Sequence, residues 1–157
     1  MFDWWRRLTR AQVLAEPFPE AFRAWIARGV SLVRYLDQAE LDKLEALVRV
    51  FLSEKSFEGA GGLELTDEMR VVIAARACLL VLHRIELDGP LYADLASIVI
   101  YPSTYRNREQ RRDGYVVVEG DEARLGESWL RGVVVLSWDA VLAGGGPSAR
   151  VFADEAS

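Results

Sequence analysis

The chain has 157 residues, 51% hydrophobic, 27% charged and 10% aromatic, a length and balance suited to one globular domain with a real core. Lys and Arg number 19 against 24 Asp and Glu, a net charge of -5, which excludes duplex nucleic acid as the expected partner because phosphate binding needs a clustered excess of cations. One cysteine, Cys78, excludes an intrachain disulfide, and its place in an apolar run reads as a small buried hydrophobe.

The opening Met1-Phe2-Asp3-Trp4-Trp5-Arg6-Arg7 lacks the apolar core of a secretory signal. No apolar stretch reaches the roughly 18 residues of a membrane helix. The expectation is a cytoplasmic protein with no membrane partner, in which Trp4 and Trp5 beside Arg6, Arg7 and Arg10 form a terminal segment rather than an interfacial anchor.

Behind Pro17 and Pro19, the spacing of Phe18, Phe22, Trp25 and Ile26 predicts a short amphipathic helix that breaks near Gly29. Asp37 and Glu40 form a capping-box pair ahead of the stripe Leu41, Leu44, Leu47, Val48, Phe51 and Leu52, which predicts a second helix. The glycines of Phe57-Glu58-Gly59-Ala60-Gly61-Gly62 break it. Thr66 is a good N-cap, with Asp67 and Glu68 in the first turn, for a third helix running to about Ile85. That helix is apolar on most sides from Val71 to Leu82, the mark of a core element.

The period then changes. Ser97–Tyr101, Tyr115–Val118 and Val133–Trp138 are short β-branched runs bounded by turn residues, and they read as strands. Helices first and strands afterwards predict an α+β fold with a small mixed or antiparallel sheet. The layout is a single domain over 1–157, mainly helical in 1–90 and mainly strands in 91–142, with a Gly-rich turn and tail in 143–157.

The residues offer little chemistry. A catalytic zinc site needs three protein ligands, and the one histidine, His83, near Glu86 and Asp88, reads as a structural or helix-terminal residue. Gly126-Glu127-Ser128-Trp129-Leu130 holds only the first half of a nucleophile elbow. Neither glycine cluster carries a phosphate-loop Lys-Ser/Thr pair, and Arg106, Arg108, Arg111 and Arg112 read as a solvated connection. No catalytic residue and no metal ligand is assigned.

Several stretches nevertheless carry a resemblance. They are Phe51-Leu52-Ser53-Glu54-Lys55-Ser56-Phe57-Glu58-Gly59, Gly62 to Arg70, Ile73-Ala74-Ala75, Ala77-Cys78-Leu79, Ile100-Tyr101-Pro102-Ser103, Gly126-Glu127-Ser128-Trp129 and Gly132 to Trp138. In this order, from about Phe18 to Val141, the chain resembles the front part of the Mlc titration factor A family of zinc-dependent metallopeptidases. The resemblance implies a cytoplasmic, gluzincin-like peptidase with a peptide substrate and a zinc cofactor, which also binds a transcriptional repressor of sugar-uptake genes. It places the zinc on a later His-Glu-x-x-His helix, so this chain is expected to be truncated before that helix, to bind no zinc and to be inactive alone. The part of the cleft expected here is the substrate-facing segment Gly126, Glu127, Ser128 and Trp129; the alternative is a non-catalytic module that titrates the repressor.

Overall fold

The computed structural model of the chain describes residues 7–102 and 132–143. These fall into two compact units, one holding the chain up to Lys55 together with Thr66–Leu91, the other Ser56–Leu65 and the residues from Tyr92 onward.

In the first unit three of the four described α-helices start where a side chain satisfies the open N–H groups. Helix α1, Arg10–Ala15, was not expected; Thr9 Oγ1 accepts from the Gln12 N–H at 3.2 Å and Gln12 Oε1 accepts from the Thr9 N–H at 2.8 Å. That reciprocal box, Thr-x-x-Gln, is a start signal present in the sequence. Helix α2, Glu20–Gly29, follows Pro19 and buries Phe22 and Ile26, with Phe18 edge-on to Phe22 at 5.6 Å and Trp25 stacked on it at 5.5 Å. A 3₁₀ turn, Ser31–Tyr35, leads to α3, Gln38–Glu54, where the expected box closes at 2.8 Å (Glu40 N–H to Asp37 Oδ1) and 2.9 Å (Asp37 N–H to Glu40 Oε1).

Helix α4, Asp67–Leu80, is capped by Thr66 as expected and buries Val71, Val72, Ile73, Ala74, Ala75, Ala77 and Cys78. It ends at Leu80 rather than near Ile85. The last turn tightens into three-residue bonds, Val81 N–H to Cys78 O at 3.2 Å and Arg84 N–H to Val81 O at 2.9 Å, which use up the carbonyls that a further α-turn would need. Gly29 permits α2 to approach α4, since a Cβ there would lie 2.8 Å from Val72 Cγ2. One guanidinium ties the ends of the unit together: Arg10 donates to both carboxylate oxygens of Glu54, at 3.1 and 3.0 Å, and to the carbonyls of Leu87 and Gly89.

The second unit holds three described strands, β1 (Ser56–Gly59), β2 (Ser97–Tyr101) and β3 (Val133–Ser137), in the order β1-β2-β3. Both pairings are parallel, with Ser56 opposite Ser97, Ser97 opposite Val133 and Tyr101 opposite Ser137. This overturns the antiparallel alternative. A parallel pair cannot be closed by a tight turn, and the long segment 60–96 between β1 and β2 supplies the crossover that such pairing requires. The fold is α+β, but β1 precedes α4, so the strands do not all follow the helices.

Strand β1 lies where only a helix break was expected. Ser-Phe-Glu-Gly carries no β-branched residue, and its extended form is fixed by bonds from afar: Ser56 N–H to Ala96 O at 2.9 Å, Ala60 N–H to Ile100 O at 2.8 Å, and a Ser56–Ser97 hydroxyl pair at 2.8 Å. The following Ala60–Leu63 turn puts Gly61 at φ 61 and Gly62 at φ 85, a left-handed pair suited to glycine, with Leu63 N–H bonding Ala60 O at 3.1 Å. Beyond β3 the chain enters a short helix α5, Trp138–Leu142, so the expected strand stops one residue early. The Tyr115–Val118 run lies outside the described residues.

Two substitutions check this reading by urea denaturation. Asp37→Ala removes the α3 cap and should cost about 1 kcal/mol. Gly59→Ala places a methyl group against the Leu63 carbonyl oxygen, where backbone must move, and should cost about 2 kcal/mol.

Candidate functional site

The expected substrate-facing segment, Gly126, Glu127, Ser128 and Trp129, lies outside the described residues, as do the arginines at 106, 108, 111 and 112. What the structure does show is where the chain leads from it. Gly132 O accepts from Ala96 N–H at 2.8 Å and Ser97 N–H at 2.7 Å, and a Cβ on Gly132 would meet Ala96 Cβ at 3.1 Å. The chain is thus pinned beside the start of β2 immediately before β3. There Val134, Val135 and Leu136 are buried, and Trp138 is half-buried at the start of α5.

The histidine expected to be structural or helix-terminal, His83, belongs to the helical unit. It lies three residues past α4, exposed, with Nε2 3.2 Å from Glu40 Oε2 on α3. Glu40 itself closes the α3 capping box. Among the described residues no group of three or more His, Cys, Asp or Glu could hold a metal ion, and the one histidine is engaged with a carboxylate that already has another task. These residues do not fit a zinc ion.

Nucleophiles fare similarly. Cys78 is fully buried, and desolvation pushes its thiol well above the ordinary range, with only partial opposition from Lys55. Ser53 donates to Val50 O at 2.8 Å. Arg49 and Arg76 are both lowered from the ordinary arginine value by burial, and each has a buried Nε without a hydrogen-bond partner among the described residues. Arg76 places its Nη2 on Gly29 O at 2.7 Å. Arg23, by contrast, is raised, first by its hydrogen bond to Glu45 at 2.8 Å.

No helix of the described residues is long and apolar enough to cross a membrane. With so little chemistry displayed, kinship carries more weight than geometry. The chain belongs to the family described as glucose-regulated metallo-peptidase M90, whose profile matches residues 2–152. Its relatives include an uncharacterized protein of Synechocystis, 37% identical over 139 residues, covering 87% of this chain and 50% of the relative. Mlc titration factor A of Serratia proteamaculans is 30% identical over 128 residues, covering 80% and 48%, and that of Escherichia coli is 30% identical over 140 residues, covering 88% and 49%. The chain spans about half the length of the curated relatives it matches.

Burial of Cys78 yields a direct check. Iodoacetamide at neutral pH should leave the folded chain unmodified by mass spectrometry and alkylate Cys78 only in denaturant; rapid labelling of the folded chain would contradict the burial.

Proposed function

We propose that the chain is the front part of a zinc-dependent, gluzincin-like peptidase that works in the cytoplasm. The observation that carries this is the family match over residues 2–152, supported by relatives named Mlc titration factor A. Zinc hydrolysis of a peptide needs three protein ligands and a group that takes a proton from the attacking water. The 157 residues hold one histidine, His83, and Glu40 engages it. The ligand set is therefore assigned to residues outside this sequence, and the chain by itself is assigned no hydrolytic activity and no zinc.

In the longer protein, Gly126, Glu127, Ser128 and Trp129 face an extended peptide substrate, held by backbone bonds of the kind an added strand makes. What supports this role is that Gly132 and β3, which follow the segment in the chain, are held at fixed register beside β2.

A second reading is a non-catalytic module that titrates a transcriptional repressor of sugar-uptake genes. The name Mlc titration factor A, carried by the Serratia and Escherichia relatives, favours it, since the matched stretch is shared with them.

Metal analysis and peptide hydrolysis by the purified chain, after equilibration with zinc, test the first reading. Zinc far below one ion per chain and no hydrolysis are expected. One tightly held zinc with hydrolysis would overturn the ligand count, while stable co-elution with the purified repressor would favour the second reading.

A further inference from the structure

The 3₁₀ turn Ser31–Tyr35 contributes nothing to the core: none of its five residues is buried. Its backbone is nevertheless fixed at both ends. Val30, 3% exposed, anchors the entry and bonds back to Ile26 O at 2.8 Å; Val33 N–H bonds Val30 O at 3.2 Å, Leu36 N–H bonds Val33 O at 3.1 Å, and the Asp37 cap follows at once. Leu32 at 59% and Tyr35 at 70% are the two most exposed large hydrophobic residues among the described ones. Three residues make one 3₁₀ turn, so side chains three apart eclipse and these two share a face.

Arg34 lies between them in sequence and is already oriented. Its guanidinium stands 5.0 Å from the centre of the Tyr35 ring, and Nη2 donates to the Tyr35 hydroxyl at 3.0 Å. Four other arginines of the same unit hold carboxylates, Arg10 with Glu54, Arg23 with Glu45, Arg28 with Glu68 and Arg70 with Asp67, while Arg76 and Arg84 bond main-chain carbonyls. Arg34 has no carboxylate partner among the described residues.

We propose that the Leu32–Arg34–Tyr35 face is a docking point for a protein segment that presents a carboxylate beside an apolar side chain. The apolar side chain covers Leu32 and the Tyr35 ring; the carboxylate supplies the ion pair that Arg34 lacks, in the two-pronged geometry a guanidinium favours. Tyr and Arg are the residue types that dominate binding hot spots, and a turn held from both ends gives up little order on binding. An isolated cation on a chain of net charge -5 does not favour nucleic acid or an anionic membrane. The inference uses no metal ligand and stands apart from the peptidase reading.

The test uses the whole chain and two probes, a short acetylated peptide of alternating glutamate and leucine and its lysine–leucine counterpart, followed by amide chemical shifts and fluorescence anisotropy. The glutamate peptide should bind with shifts centred on residues 31–36. Tyr35→Ala and Arg34→Glu should each weaken it about tenfold or more with melting temperature unchanged, because both side chains are exposed. Arg34→Glu should reverse the preference toward the lysine peptide. Equal binding of both peptides to the native chain, shifts elsewhere, no binding of the glutamate peptide, or no reversal would each overturn the proposal.

Discussion

A helix with almost no polar side cannot stand in water, and α4 imposes that constraint on the helical unit. Val71 to Ala75, Ala77 and Cys78 are at most 2% exposed, so the helix exists only when enclosed. Burying a Val or Ile side chain is worth about 2 kcal/mol, which makes this run a large share of what holds the unit together. Its neighbours are shaped to it. Gly29 omits a side chain where Val72 presses on the end of α2, and α3 turns Leu44, Leu47, Val48, Phe51 and Leu52 inward. Arg76 is the charged interruption, and its bond to Gly29 O places a cation at the C-terminal end of α2, where the helix dipole favours one. Its partnerless Nε is the remaining cost.

Parallel pairing does comparable work in the strand unit. Because each parallel strand must be reached by a long connection, residues far apart in sequence become neighbours at fixed register, Gly59 beside Ile100 and Ile100 beside Leu136. That register makes a strand of Ser-Phe-Glu-Gly despite its composition. It also fixes where the chain goes after the candidate substrate segment, since the Gly132 carbonyl is held by two N–H groups at the start of β2.

What the sequence reveals follows the range of the forces. The α3 and α4 starts were legible because a cap is decided within four residues: Asp37 with Glu40, and Thr66 with Met69. The same rule applied to Thr9 and Gln12 would have found α1. Helix stripes were legible because burial repeats with the helical period. Strand β1, the parallel sense of the sheet and the end of α4 were not, because each depends on partners dozens of residues away or on how a last turn tightens. Family kinship was legible from Phe51–Gly59, Gly62–Arg70 and Gly132–Trp138, while the location of His83 beside Glu40 was not, since no local pattern links a residue past α4 to the first turn of α3.

The distribution of charge in the helical unit leaves little room for a metal. Zinc ligation by a helix requires donors one turn apart on a face left free for the metal. Helix α4 has almost no such face, being buried nearly all round. Helix α3 has a polar face, but Glu40 is engaged by His83 and by its own capping box, Glu45 by Arg23 and Glu54 by Arg10. Each of these three carboxylates is already bonded by a neighbour, and displacing that neighbour would cost the contact it makes. A metal held elsewhere in a longer protein of this family would therefore meet no competing ligand set among the described residues of this unit.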